Sequence, residues 1–127
     1  MPEGGASGTA APDWLGLAGK TVVVCGFANR KSVAWHVGRR LEEVGARVVH
    51  VVRSPERRDQ LAKLREGAEP AFVCDVERPG EIERLRSELA ARHPRIDGLV
   101  HSIAFANYER GIQPFHATER ADFGSAP

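Results

Sequence analysis

Cysteine is scarce in this 127-residue chain, with only Cys25 and Cys74, each closing an apolar run. Two such residues make no disulfide framework; they read as small buried hydrophobes in a reducing compartment, and a cytoplasmic setting is expected. A charge excess of either sign is absent too. The formal net charge of +1 gives no electrostatic basis for binding nucleic acid or a membrane surface. No apolar run approaches the length needed to cross a bilayer, and residues 1–18 lack the basic start and continuous apolar stretch of a signal peptide. There is no internal repeat and no low-complexity segment beyond this N-terminal stretch.

What remains is an ordinary soluble composition, 42% hydrophobic and 28% charged, long enough for one domain with a modest core. Residues 1–18 read as a flexible tail, from which Trp14, Leu15 and Leu17 can dock on the body. The chain then alternates. "TVVVC" (Thr21–Cys25) is a β-branched run suited to a parallel strand covered on both faces. Ser32 stands where an N-cap belongs, Val33, Val37, Leu41 and Val44 follow at helical spacing, and Gly45 supplies the stop. "RVVHVV" (Arg47–Val52) is a second strand, followed by a short helix with Pro55 in its first turn, Leu61 and Leu64 along it, and Gly67 at its end. "AFVC" (Ala71–Cys74) predicts a third strand. Pro79 opens a helix whose Ile82, Leu85 and Leu89 face the core until Pro94, and "DGLVHSIA" (Asp97–Ala104) is a fourth strand.

Strands separated by helices of this length imply parallel pairing through right-handed crossovers. The predicted class is therefore α/β: a Rossmann-like, doubly wound parallel sheet over residues 19–110, β-α-β-α-β-α-β, with strand order 3-2-1-4. Ligands of such sheets bind at the carboxyl ends of the strands, where the order reverses, and the loop between Cys25 and Val33 lies there. A pyrophosphate needs N–H groups from a helix N-terminus and a turn tight enough for close approach. Gly26 supplies the turn, Ala28 is small enough for the approach, and Ser32 offers a hydroxyl besides its N–H. By itself this spacing fits equally well an ordinary strand-to-helix turn with Ser32 as a plain N-cap.

The segments "GFANRKSVAW" (Gly26–Trp35) and "HSIAFAN" (His101–Asn107) together resemble the enoyl-acyl-carrier-protein reductases, a divergent branch of the short-chain dehydrogenases/reductases with a glycine-poor cofactor loop. The likeness runs from Gly19 to about Phe123 through "CDV" (Cys74–Val76). It implies that Gly26, Ser32 and Val33 line the pyrophosphate, that Asp75 accepts from the adenine amino group with Val76 beside the base, and that Ser102, Ile103 and Ala104 pass along the nicotinamide. It also implies NADPH or NADH as cofactor, an acyl-carrier-protein thioester as substrate, and a homo-oligomer for the full-length form. Asp75 also reads as a cap for the helix near Pro79, and Ser102 and Ala104 as strand-end packing. His101, His36 and Trp35 read more plainly as structural or surface residues. At the end of the second strand "VVRSPERR" puts Arg53 beside Ser54, with Arg57 and Arg58 one turn on, which suggests that NADPH is accepted. Glu56 works against that reading, and the arginines also fit a solvated face.

Departures from the family concern the chemistry. Reductases of this type use a tyrosine and a later lysine, whereas here Tyr108 is the only tyrosine and no lysine follows Lys63. His93, His101 and His116 have no evident partner, so no catalytic residue and no metal site is assigned. "TERADF" (Thr118–Phe123) reads as a helix start, and residues 111–127 as a helix interrupted at "GSAP". The chain is thus expected to be the truncated N-terminal, cofactor-binding part of an enoyl reductase of fatty acid biosynthesis, inactive in isolation. The alternatives are a non-catalytic nucleotide-binding or interaction module, or a piece of another short-chain dehydrogenase. With only the helix after Pro79 on the second face of the sheet, apolar side chains there should meet water over much of its area, leaving the isolated chain marginally stable.

Overall fold

The structure, a computed structural model, describes residues 13–65 and 69–103. Seven elements follow in order: β1 (Thr21–Cys25), α1 (Val33–Glu43), β2 (Arg47–Val52), α2 (Pro55–Leu64), β3 (Phe72–Val73), α3 (Glu81–Arg92) and β4 (Gly98–His101). The strands form one parallel sheet in the order β3-β2-β1-β4, as the alternation predicts. Central β1 is buried along its whole length, which is why it can be a continuous run of β-branched residues without polar alternation. Asp97 clasps the start of β4 to β1: its carboxylate accepts from the Thr21 N–H at 2.9 Å, and its own N–H donates to the Thr21 carbonyl at 2.8 Å. The bond from Thr21, aided by Arg95, holds the Asp97 carboxyl below the usual carboxylate range.

Side chains alternate across the sheet. Val22, Val24 and Val48 pack with Ala34 and Leu41 of α1, and Val52 packs with Leu61 of α2, so these two helices share one face. Val23, Cys25, Val49, Val51 and Phe72 point the other way and meet Leu85 and Leu89 of α3. The second face is less open than its single helix suggests. Val23, Val49 and Val51 are all buried, because Leu85 and Leu89 lie over the middle of the sheet, while Ile82, Ile96 and Leu99, at 56%, 42% and 65%, stay exposed between α3 and β4.

Helix phase and boundaries depart from the sequence reading in several places. In α1 the buried positions are Ala34 and Gly38, while Val33 is 66% exposed. Small residues four apart let the helix approach the sheet closely, and a Cβ on Gly38 would sit 3.1 Å from His50 Nε2. Helix α3 starts at Glu81, after Gly80 as N-cap with φ 84°; Pro79 precedes it instead of opening it. That phase turns Leu85 and Leu89 inward and leaves Ile82, expected in the core, 56% exposed. Strand β3 is shorter than Ala71–Cys74, although the Cys74 N–H continues the ladder to the Val52 carbonyl at 2.8 Å. Strand β4 begins at Gly98, one residue after Asp97, and ends at His101, short of the expected Ala104: Ser102 and Ile103 follow it outside the strand, and Ala104, like Gly67, lies outside the described residues.

In the described part of the N-terminal segment, Asp13 Oδ1 accepts from the N–H groups of Leu17 and Ala18, and the Gly19 N–H donates to the Gly45 carbonyl. This turn seats Leu17 against Val22 and its neighbours, whereas Trp14 and Leu15 stay exposed.

Candidate functional site

At the carboxyl ends of β1, β2 and β3 the chain leaves a cavity of about 250 Å³. Segments far apart in sequence meet there: Gly26, Phe27 and Ala28 after β1; Arg53 and Arg57 after β2; Cys74, Asp75, Val76 and Glu77 after β3; Ser102 and Ile103 after β4. Seven of the expected cofactor residues line it, namely Gly26, Ala28, Arg53, Asp75, Val76, Ser102 and Ile103. Ser32 and Val33 stand outside its lining, at the start of α1. Ala104 lies outside the described residues, as do Tyr108 and His116.

Gly26 has φ 118°, a conformation that side-chain-bearing residues rarely adopt. A Cβ there would also lie 2.7 Å from the Ser102 carbonyl carbon. The glycine therefore has two duties, turning the chain out of β1 and letting the end of β4 close against it, with the Ser102 N–H donating to the Cys25 carbonyl at 3.1 Å. The next residue anchors the loop. Phe27 is buried against Val52 and Leu61, edge-on to Trp35 at 5.9 Å and to His50 at 6.2 Å.

Ser32 holds the N-cap position in extended geometry, but its side chain makes no capping bond to the helix. The hydroxyl turns back into the loop. It accepts from the N–H groups of Ala28 and Asn29, both at 2.8 Å, and donates to the Asn29 carbonyl at 2.6 Å. This corrects the reading of Ser32 as a simple cap or a free donor: its proton is committed, and its oxygen fills a pair of backbone N–H groups that a phosphate would otherwise meet. The result is a loop held together by its own hydrogen bonds.

Asp75 is half-buried at the cavity edge. Its N–H donates to Glu81 Oε1 at 2.9 Å, Oδ1 accepts from the Glu77 N–H at 3.1 Å, and Oδ2 lies 3.4 Å from Arg78 Nε. It does not cap α3, whose N-cap is Gly80; it shapes the turn before it. A carboxylate has about four acceptor positions, so this one can still accept from a ligand amino group. Cys74 and Cys25 are free and buried, and burial pushes both thiols up, away from thiolate chemistry.

Phe27 and Glu77 belong to this cavity although nothing in the sequence reading assigned them to it. Phe27 carried a faint signal, a large apolar residue inside a loop otherwise made of small and polar ones. Glu77 carried none.

Ser54 caps α2 by accepting from the Arg57 N–H at 3.3 Å, with Pro55 in the first turn. That cap fixes where Arg57 starts, and its guanidinium donates through Nη1 to the Ala28 carbonyl at 2.6 Å, tying α2 to the loop after β1. Among the described residues no group of three or more His, Cys, Asp or Glu side chains is arranged to hold a metal, and no helix is long and apolar enough to cross a membrane.

Comparison with known proteins gives a consistent result. A family model described as Enoyl-(Acyl carrier protein) reductase matches residues 26–126. The NADH-dependent enoyl-[acyl-carrier-protein] reductase FabI of Enterococcus faecalis is 37% identical over 93 residues, which are 73% of this chain and 37% of that protein. The NADPH-dependent FabI of Staphylococcus aureus is 34% identical over 113 residues, 86% of this chain and 44% of that one. Among solved structures, the enoyl reductase of Anaplasma phagocytophilum in complex with NAD superposes with a TM-score of 0.71 at 26% identity, over 84% of this chain and 41% of that chain. The Bacillus cereus reductase with NADP⁺ and an indole naphthyridinone gives a TM-score of 0.68 at 29% identity, over 83% and 42%. The chain spans less than half the length of these relatives.

Proposed function

The chain belongs to the enoyl-(acyl carrier protein) reductase family, and from that premise we propose that it is the dinucleotide-binding part of an NAD(P)H-dependent reductase of 2-enoyl thioesters in fatty acid biosynthesis. One observation carries the reading. Four separate post-strand segments converge on a single cavity at the carboxyl edge of the sheet, where α/β sheets of this class bind nucleotides. The donor set suits the adenosine end of such a cofactor. Asp75 accepts from the adenine amino group, Val76 packs beside the base, and Arg53 and Arg57 face the ribose. Gly26 and Ala28 allow the pyrophosphate to approach the backbone. Ser32 is a positioning residue that holds the loop from within, and Val33 presents an exposed flank beside it. Ser102 and Ile103 would pass along the nicotinamide, Ala104 is assigned there by the family resemblance alone, and the bound cofactor would supply the hydride.

The acyl-carrier-protein thioester and a homo-oligomeric assembly enter the proposal as properties of a longer form. For the chain of 127 residues we propose cofactor binding without turnover, because Tyr108 is its only tyrosine and Lys63 its last lysine. The same fact favours the second reading, a nucleotide-binding module with no catalysis of its own. Two measurements test what the readings share, and a third separates them. Fluorescence titration with NADPH and NADH should show saturable binding, and its absence would remove the cofactor reading. Incubation with NADPH and a crotonyl thioester should show no consumption; turnover on the order of one per second or faster would remove the inactivity. Extending the chain with downstream sequence that carries a tyrosine–lysine pair should restore turnover if the reductase reading holds, and leave binding alone if the module reading does.

A further inference from the structure

Among the described residues β3 is the last strand of the sheet, paired with β2 on one side and with no strand on the other. In a parallel ladder alternate residues of a strand direct their backbone groups to the same neighbour, so half the groups of an edge strand point outward. The Cys74 N–H points inward, to the Val52 carbonyl. The groups on either side of it, the Val73 carbonyl and the Asp75 N–H, therefore face the open edge, and two side chains of α3 meet them. Arg84 donates through Nη2 to the Val73 carbonyl at 3.0 Å, and Glu81 Oε1 accepts from the Asp75 N–H at 2.9 Å. The same arginine nitrogen donates to the same glutamate oxygen at 3.0 Å.

These are the bonds that one residue of a further parallel strand would make, donating its N–H to the carbonyl of residue 73 and accepting at its own carbonyl from the N–H of residue 75. The ion pair supplies one donor and one acceptor at those two places, from a helix. The consequence falls on Asp75. Strand β3 itself has two residues, so little of the ladder holds its carboxyl end. The Asp75 side chain has local partners: Oδ1 accepts from the Glu77 N–H, and Oδ2 lies 3.4 Å from Arg78, whose side chain is 73% exposed. Both partners lie within three residues and move with the turn. Glu81 and Arg84 tie that turn to α3, which Leu85 and Leu89 anchor on the sheet.

We infer that Glu81 and Arg84 are positioning residues for recognition of the adenine base: standing in for one residue of a neighbouring strand, they hold the end of β3 so that the Asp75 carboxylate meets the amino group. The inference rests on the cofactor reading above and deepens it. It gives α3, none of whose residues lines the cavity, a part in selecting the ligand. With side chains 49% and 28% exposed, the pair adds little to stability. Its removal therefore leaves a folded chain in which selection can be read.

The test uses the full chain, titrated with NADH and with its hypoxanthine analogue, in which an oxo group replaces the adenine amino group. The unaltered chain should bind NADH about tenfold more tightly than the analogue. Asp75→Ala, the reference variant, should remove that preference. Glu81→Ala and Arg84→Ala should each cut it by at least about threefold through weaker NADH binding, while affinity for the analogue changes by less than about twofold. Glu81→Gln keeps an oxygen that can accept from the Asp75 N–H and should retain most of the preference. In the free protein the Asp75 amide hydrogen should exchange about tenfold faster in Glu81→Ala than in the unaltered chain. Equal exchange would overturn the inference. So would an unchanged preference in either alanine variant, an equal loss of both ligands, or a Glu81→Gln variant as impaired as Glu81→Ala. If Asp75→Ala keeps the preference, or the unaltered chain has none, the adenine reading of Asp75 falls and the inference with it. If Asp75→Ala loses the preference and the α3 variants keep it, the inference alone falls. Binding of neither ligand by the unaltered chain would overturn the cofactor reading as well.

Discussion

The two faces of the sheet are built from the same alternating valines and are closed by different means. On the face under α1 and α2, Ala34 and Gly38 draw the helix onto the strands until the His50 ring and the Gly38 backbone nearly touch, and Val22, Val24, Val48 and Val52 are all buried. Under α3 the covering residues are Leu85 and Leu89, which bury Val23, Val49 and Val51 but stop short of the β4 side. There a largely apolar groove of about 530 Å³ runs between α3 and β4, lined by Ile82, Leu89, Ile96 and Leu99. A helix of small residues seals a sheet by approach, while one with long side chains seals only what those side chains reach.

The largest effect expected from this contrast is a pH dependence carried by His50 on the sealed face. His50 is buried with Nδ1 lacking a hydrogen-bond partner, and burial, followed by the charge of Arg65, lowers its pKa from 6.5 to about 4. The neutral ring's contribution is therefore complete above pH 6.5 and is lost as the pH falls from there through about 4. At about 1.4 kcal/mol per unit the loss amounts to about 3 kcal/mol. Urea unfolding at several pH values should show this slope in the unaltered chain and lack it in His50→Leu. Equal slopes would mean that His50 is not sealed.

Next comes a matched pair. Val24→Ala under α1 and Val23→Ala under α3 should each cost about 2–3 kcal/mol in chemical denaturation, because both side chains are buried. A much smaller cost for Val23 would show that the α3 face is loosely covered even at its centre. Gly38→Ala gives a smaller and more pointed result. In an exposed helix this change stabilises by roughly 0.5–1 kcal/mol, but here the added methyl meets the His50 ring at 3.1 Å, and a net loss of about 1 kcal/mol is expected. A stabilised variant would show that α1 does not press on β2. The smallest effect belongs to the groove: Leu99→Ser should change stability by less than about 0.5 kcal/mol while reducing the binding of a hydrophobic dye. A large destabilisation would mean that this flank is covered in solution.

Much of the fold was legible without coordinates. Continuous β-branched runs and leucines at helical spacing are local signals, and they carried the element order, the parallel sheet and the strand order 3-2-1-4. Helix phase was less legible. Hydrophobicity put Val33 and Ile82 inside, whereas closeness of approach favoured Ala34 and Gly38 in α1, and the left-handed Gly80 set where α3 begins. The same division runs through the candidate site. Asp75, named from the family resemblance, and Arg53, named from the end of the second strand, line the cavity because topology puts every strand end at one edge. Phe27 and Glu77 were missed because their place in the cavity depends on how the loops fold over it.

By itself the sequence determined the class of fold, the edge of the sheet at which the cavity lies, and the family whose loop motifs it shares. Only the tertiary structure decided what those residues do there. Gly26 must be glycine partly because the Ser102 backbone closes against it; the Ser32 hydroxyl turns into its own loop; the Arg57 guanidinium donates to the Ala28 carbonyl and ties α2 to that loop. The physical reason is the range of the forces. Strand and helix preferences act over a few neighbouring residues and are written into their order. A steric limit or a long-range hydrogen bond is set by which groups meet, and except for Ser32 these groups lie far apart along the chain until the sheet brings them together.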